Sequence, residues 1–308
     1  MKTATIAPPL VVEPRPIGAA SLRKFLSARA SAYVALTKPR ITAMVLMTVA
    51  VGYWVGARGA WRLWPLLGTL LGTGLVSSGA SVWNQYLERA RDARMRRTAR
   101  RPLPSGQVVP IEAAVFGTLL TAAGAAILFY RANTLAMAVA LATFALYVFV
   151  YTPLKPRTTL NTAIGAVPGA LPPVIGWAAA MDGLGIEPVA LFLIVFLWQF
   201  PHFLAIAWIY RDDYARGGHW MLPAVDPLGV MTGRQAAWHA LALVPAGLLP
   251  AVVGLAGPVY FAGALALGLF YLAAAVRFWF DVSEASARRL LKASILYLPA
   301  ILALLLMA

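Results

Sequence analysis

Apolar positions along this chain fall in long blocks, at about 39–57, 64–84, 109–130, 134–151, 160–180, 188–209, 234–254, 257–276 and 290–307. Short polar connections separate them. A helix in a soluble core rarely needs such runs, whereas about twenty residues rising 1.5 Å each are what a hydrocarbon layer of ~30 Å requires. The pattern predicts an all-α polytopic membrane protein, a bundle of nine transmembrane helices around a central cavity. The fifth block is the least regular, with Gly165, Pro168, Gly169, Pro172, Pro173 and Gly176. Proline at that depth removes backbone hydrogen bonds and is tolerated beside other helices or a cavity, so a kink is expected there. Residues 1–30 are Pro-rich and then basic. They are expected to be a flexible cytoplasmic segment, with residues 31–308 forming one transmembrane domain. The patch Ser21–Arg29 is basic and free of acids, as in a mitochondrial presequence. A lead-in lying on anionic lipid is the preferred reading.

Composition agrees, since 61% of residues are hydrophobic and only 12% charged, values outside the range of soluble domains. The net charge of +15 would fit a nucleic-acid binder were it not for where it falls. With nine spans, 23 of the 26 Lys and Arg residues lie on one side of the membrane. The other side receives Arg58, Arg62 and Arg131. Basic loops stay in the cytoplasm, so the amino terminus is expected inside and the carboxyl terminus outside. That asymmetry accounts for the charge, and membrane lipid rather than nucleic acid is the expected surroundings. The absence of cysteine excludes disulfides, thiolate metal sites and cysteine nucleophiles.

Candidate chemistry begins where the second block ends. Asn84, Glu88 and Asp92 are spaced four apart, and seven arginines occupy residues 89–101. If the helix continues through them, the three side chains lie near one face, each step drifting roughly 40°. On a soluble helix such a ladder is ordinary surface chemistry; at a bilayer, ionisable groups are more often functional. Two carboxylates and an amide among guanidinium groups suit a magnesium ion that holds a polyphosphate, because magnesium takes few protein ligands. A second loop after the sixth block, Tyr210-Arg-Asp212-Asp213-Tyr214-Ala-Arg216, lies on the same side by parity. The two acidic loops are expected to face each other over one chamber.

A diphosphate wants metal and cations, while an apolar tail wants hydrocarbon; a polyprenyl diphosphate has both ends. Departure of its diphosphate leaves an allylic cation, which needs a dry site and aromatic faces. Trp83, Tyr86, Tyr147, Tyr151, Trp198 and Tyr210 fall near cytoplasmic helix ends, where an interfacial aromatic belt is also expected. Lys38 and Arg40 open the first span, as diphosphate ligands or as snorkelling cations. His202, in Gln199-Phe-Pro-His-Phe203, is an intramembrane imidazole that needs a partner. It could contact haem or move a proton, or hydrogen-bond a neighbouring helix. His219 and His239 read as ordinary surface or interface histidines.

At these residues the chain resembles a known family. Asn84…Glu88…Asp92-Ala-Arg-Met-Arg-Arg97-Thr-Ala-Arg-Arg101 is similar to the first signature of the protohaem IX farnesyltransferases, within the intramembrane aromatic-prenyltransferase superfamily. The likeness extends through Leu36-Thr-Lys-Pro-Arg-Ile41, Tyr151-Thr-Pro-Leu-Lys155, Leu160–Pro173, Trp198–Phe203, Tyr210–Tyr214 and Met221-Leu-Pro223. The resemblance implies transfer of a farnesyl group from farnesyl diphosphate to a vinyl group of haem b, giving haem O with Mg2+ assisting. It implies that Asn84, Glu88, Asp92, Asp212 and Asp213 are catalytic, with Glu88, Asp92 and Asp213 holding metal. Lys38, Arg40, Arg97, Arg101, Lys155, Tyr151, Tyr210 and His202 are the expected substrate-binding residues. Two departures stand out. The aspartates of the second motif are adjacent, so only one should face the metal. The loop also reads Gly218-His-Trp, where the family more often has a small apolar residue and proline.

Rival readings are a membrane prenyltransferase with another acceptor, an aromatic acid or another tetrapyrrole, and a non-catalytic haem or lipid carrier or assembly factor. A carrier would have no use for metal-binding carboxylates. The next enzyme of haem A synthesis or a terminal oxidase is a further possible partner. The bacterial inner membrane is expected ahead of the mitochondrial one because the leading segment is short.

Overall fold

The computed structural model describes residues 19–307. Among them no β-strand occurs, and nine helices are long and apolar enough to cross a membrane. Helix α1 (Ala19–Leu36) precedes the first span. It runs straight through residue 30, so the boundary expected there does not fall between elements; residues 1–18 of the expected lead-in lie outside the described residues. The spans are α2 (Pro39–Ala57), α3 (Leu63–Asp92), α4 (Pro110–Arg131), the broken fourth and fifth, α9 (Glu187–Ile209), α12 (Val230–Val252), α13 (Pro258–Phe280) and α14 (Glu284–Leu306). Short helices α10 (Arg211–Arg216) and α11 (Leu222–Val225) follow α9.

Each span packs on the next in sequence, and α14 returns to α2, so the nine form a closed ring. The fifth span breaks at Leu171 into α7 (Asn161–Ala170) and α8 (Pro172–Met181), as its prolines predict. Its second half presses on α2. Cβ atoms added at Gly52 or Gly176 would strike the carbonyls of Pro173 and Val49, so only glycine lets these backbones approach.

The fourth span also departs from a regular helix. After α5 (Thr134–Ala145) it widens to a π-helical turn over Leu146–Tyr151, then closes through α6 (Thr152–Leu154). Pro153 has no N–H to give, and the amide of Thr152 reaches back five residues to the Tyr147 carbonyl. The inserted residue re-aims whatever follows. Here that is Thr152 and Lys155.

The second span continues well past residue 84, where its apolar block ends, to Asp92. The condition on which the ladder of Asn84, Glu88 and Asp92 depended is therefore met. The same stretch binds the surrounding pieces. Gln85 donates to the Leu36 carbonyl at 2.8 Å, holding the α1–α2 turn against α3.

Candidate functional site

Asn84, Glu88 and Asp92 are all buried, at 1%, 4% and 1% exposure. They sit at the carboxyl end of α3, where the helix dipole already carries partial negative charge. Carboxylates placed there need cations, and each of the three side chains has one from a different element. Lys38 donates to Asn84 Oδ1 at 2.9 Å. Lys155 stands 2.9 Å from Glu88 Oε1, and Arg101 meets Asp92 Oδ2 at 2.8 Å.

Local structure explains how each cation arrives. Lys38 adopts a left-handed conformation, φ 49°, in the hinge between α1 and α2. Such a conformation is costly for a non-glycine residue and clusters at functional sites. Burial, then the charges of Arg101 and Lys155, lower its ammonium to about 7. Lys155 follows the π-helical turn, which also brings Thr152 Oγ1 within 3.1 Å of Asn84 Nδ2. Burial works against its charge. Glu88, aided by Tyr151 and Tyr147, outweighs it and holds Lys155 well above the ordinary lysine value. Arg101 reaches back because residues 93–106 fold as successive turns; Thr98 Oγ1 donates to the Asp92 carbonyl at 2.8 Å.

The second acidic loop meets this cluster at the same end of the bundle. Asp213 is buried and accepts the backbone N–H groups of Arg96 and Arg97, at 3.2 and 3.3 Å. Arg216 pairs with it as well. Desolvation opposes ionisation, but Arg216 and the two amides hold Asp213 below the ordinary carboxylate range. Its neighbour Asp212 is exposed and makes no hydrogen bond among the described residues. Of the adjacent pair one points in and one out, as helical geometry requires. Arg97 lies 5.1 Å from the Tyr210 ring and 5.6 Å from that of Tyr214. Tyr151 and Tyr147 pair at 5.4 Å, with Lys155 4.7 Å above Tyr151.

The sequence profile of the UbiA prenyltransferase family matches residues 45–298. The chain belongs to that family. The relative named Protoheme IX farnesyltransferase in Solibacter usitatus is 47% identical over 284 residues, covering 89% of this chain and 97% of that one. The protein of the same name in Koribacter versatilis is 42% identical, covering 99% and 98%. Arabidopsis thaliana has a mitochondrial one, 37% identical over 88% of this chain and 63% of that protein. Among solved structures, a digeranylgeranylglyceryl phosphate synthase superposes with TM-score 0.76 at 16% identity, covering 91% and 98%. A UbiA homologue from Archaeoglobus fulgidus bound to GPP and Mg2+ gives 0.66, also at 16%, covering 89% and 99%. These two share the fold. Nine apolar helices in this family make the chain a multi-pass membrane protein.

Not every expected residue of this prenyltransferase joins the cluster. Arg40 is exposed and has no hydrogen bond among the described residues. His202 finds its partner elsewhere: Nδ1 lies 2.7 Å from Ser294 Oγ on α14, and the ring stacks on Trp198 at 4.7 Å. Trp83 and Tyr86 pack together on the side of α3 that faces α1 and α4. Asp213 was expected to hold metal, but both its oxygens already bind the Arg-rich turn. Sequence reading gave no role to Gln85 or Thr152, polar residues just past the ends of the second and fourth apolar blocks. It also set His219 aside, a residue the structure buries at 3% exposure.

Among the described residues no three His, Asp or Glu side chains converge into a closed metal cage. Magnesium needs none, since one or two carboxylates plus water and phosphate complete its shell. Glu88 and Asp92 offer that donor set on one face. Glu88 Oε1 lies 2.9 Å from the Lys155 ammonium as an ion pair and accepts no further hydrogen bond among the described residues. A carboxylate held by a single lysine ammonium fits a group that can pass from that cation to a metal.

Proposed function

We propose that this prenyltransferase moves the farnesyl group of farnesyl diphosphate onto a vinyl group of haem b, giving haem O and diphosphate. Near-full-length likeness to relatives of that name, up to 47% identity, carries the choice of substrates. The triad of Asn84, Glu88 and Asp92, each matched to a cation, supplies chemistry that suits it. In the reaction the bond from farnesyl carbon to diphosphate oxygen breaks and a bond to the vinyl carbon forms. Water then supplies the hydroxyl and loses its proton.

Glu88 and Asp92 would hold Mg2+, which when bound neutralises charge gathering on the departing diphosphate. Lys38, Lys155 and Arg101 exchange partners as substrate enters. Paired as they are here they cancel the carboxylates and the dipole; with substrate present they turn to phosphate oxygens. Charge is thereby conserved inside a poorly hydrated corner, where an uncompensated ion is expensive. Asp213 fixes the turn that carries Arg96 and Arg97, and Arg97 with Tyr210 borders the entry. Tyr147 and Tyr151 offer ring faces to the allylic cation.

Membranes containing the chain, supplied with haem b and farnesyl diphosphate, are expected to yield extracted haem heavier by one farnesyl and one hydroxyl group. Unchanged haem in competent membranes would refute the assignment. We place the protein in a bacterial plasma membrane with the acidic corner on the cytoplasmic side, because 23 of its 26 basic residues share that side. A reporter fused after Ala308 should then be active only outside the cytoplasm.

A further inference from the structure

His219 is buried in the loop that carries the second acidic motif, yet its Nδ1 has no hydrogen-bond partner among the described residues. The loop is held tightly around it. Its own amide donates to the Tyr214 carbonyl at 3.0 Å, and the amide of Trp220 donates to the Lys155 carbonyl at 2.8 Å. Asn161 Nδ2 then secures the Trp220 carbonyl at 2.9 Å. His219 is thus one residue from a backbone bond to the lysine that pairs with Glu88. Glu88 and Lys155 are the charges that act on it most strongly; burial, the largest influence, lowers the imidazole to about 4. A neutral imidazole has one N–H and one lone pair to place.

Glu88 Oε1 is the complementary acceptor, held by the Lys155 ammonium alone. The Lys155 ammonium stands 2.9 Å from Oε1 and donates to Oε2 at 3.3 Å, so Oε1 comes free once that lysine turns to another anion. His219 and Glu88 are close enough for each to act on the other's charge, and a buried imidazole nitrogen left without a partner is costly.

We infer that His219 is a positioning residue for Glu88, its Nδ1–H taking up Oε1 when Lys155 is drawn to the diphosphate and so aiming the other oxygen at the metal. This rests on the proposed diphosphate-metal site and adds a partner that fixes its carboxylate. Partners of this kind orient metal ligands elsewhere, and their loss typically weakens metal binding about tenfold or more.

The test uses the purified full chain and farnesyl thiodiphosphate, whose bridging sulfur prevents transfer. Calorimetry follows analogue binding as Mg2+ is titrated. His219→Phe should raise the Mg2+ needed for half-maximal binding by roughly tenfold. His219→Asn, whose amide N–H stands where Nδ1 does, should stay close to the native value. His219→Gln mimics Nε2 instead and should behave like the phenylalanine variant. If the phenylalanine variant does not fold, the contrast between Asn and Gln decides alone. Equal Mg2+ requirements for Asn and Gln overturn the inference, and so does a native requirement in His219→Phe. Glu88→Gln separates the two levels. If it loses Mg2+-dependent binding while His219 variants do not, only the histidine's role falls; if it too binds normally, the site itself is wrong.

Discussion

Asp92→Ala is expected to lower farnesyl transfer by roughly 10²–10³-fold in kcat/KM, the scale seen when one group that stabilises developing charge is removed. Two losses coincide. A carboxylate that would hold Mg2+ disappears, and Arg101, now without its partner at 2.8 Å, is no longer held over the end of α3. Asp92→Asn keeps a neutral acceptor for Arg101 but gives the metal a weaker ligand, so its activity should fall between the two. Haem O formed per unit time in membranes with saturating Mg2+ measures both variants. Near-native turnover in Asp92→Ala would remove Asp92 from the groups that assist diphosphate departure. Haem binding itself should survive, because neither Asp92 nor Arg101 belongs to the apolar body of the bundle.

The helices of this fold were written in block length, and the deciding motif in a four-residue period. Both are local signals. The break at Leu171 was legible for the same reason, because prolines act on their own backbone. What could not be read was long-range. The π-helical turn ahead of Pro153 inserts one residue and so decides that Lys155 meets Glu88; no hydropathy pattern registers a single-residue change of helical pitch. The surroundings of Asp213 were hidden in a similar way. As a sequence element it looked like a metal ligand, but the turn after α3 presents the amides of Arg96 and Arg97 to it. Backbone donors have no sequence signature. His219 was invisible for a third reason: burial of a loop residue depends on what packs over the loop, here Met95 and Tyr214. Conversely His202, conspicuous as a charge-capable side chain in an apolar block, is satisfied by a serine 92 positions away.

The Lys155–Glu88 pair carries the second large effect, on stability as much as on turnover. Its side chains are only 14% and 6% exposed, so removing one partner strands an ion where water cannot fully solvate it. Lys155→Met should destabilise the protein by about 3 kcal/mol, the lower end for a broken buried pair. For a chain of this size that corresponds to roughly 5–10 °C off the thermal midpoint in detergent. Glu88→Gln should cost less, because a lysine can shed its proton or extend towards water while a stranded glutamate has shorter reach. The double variant Glu88→Gln, Lys155→Met separates structure from chemistry. Replacing a buried pair by neutral groups of similar volume is often close to neutral, so the double variant should regain most of the lost thermal midpoint. It should not regain farnesyl transfer, since both the metal's carboxylate and the diphosphate's ammonium are gone. Additive destabilisation in the double variant would mean that the two side chains do not interact, and the exchange of partners on substrate entry would lose its basis. Recovery of stability without recovery of turnover would show that the pair is kept for the diphosphate and not for the fold.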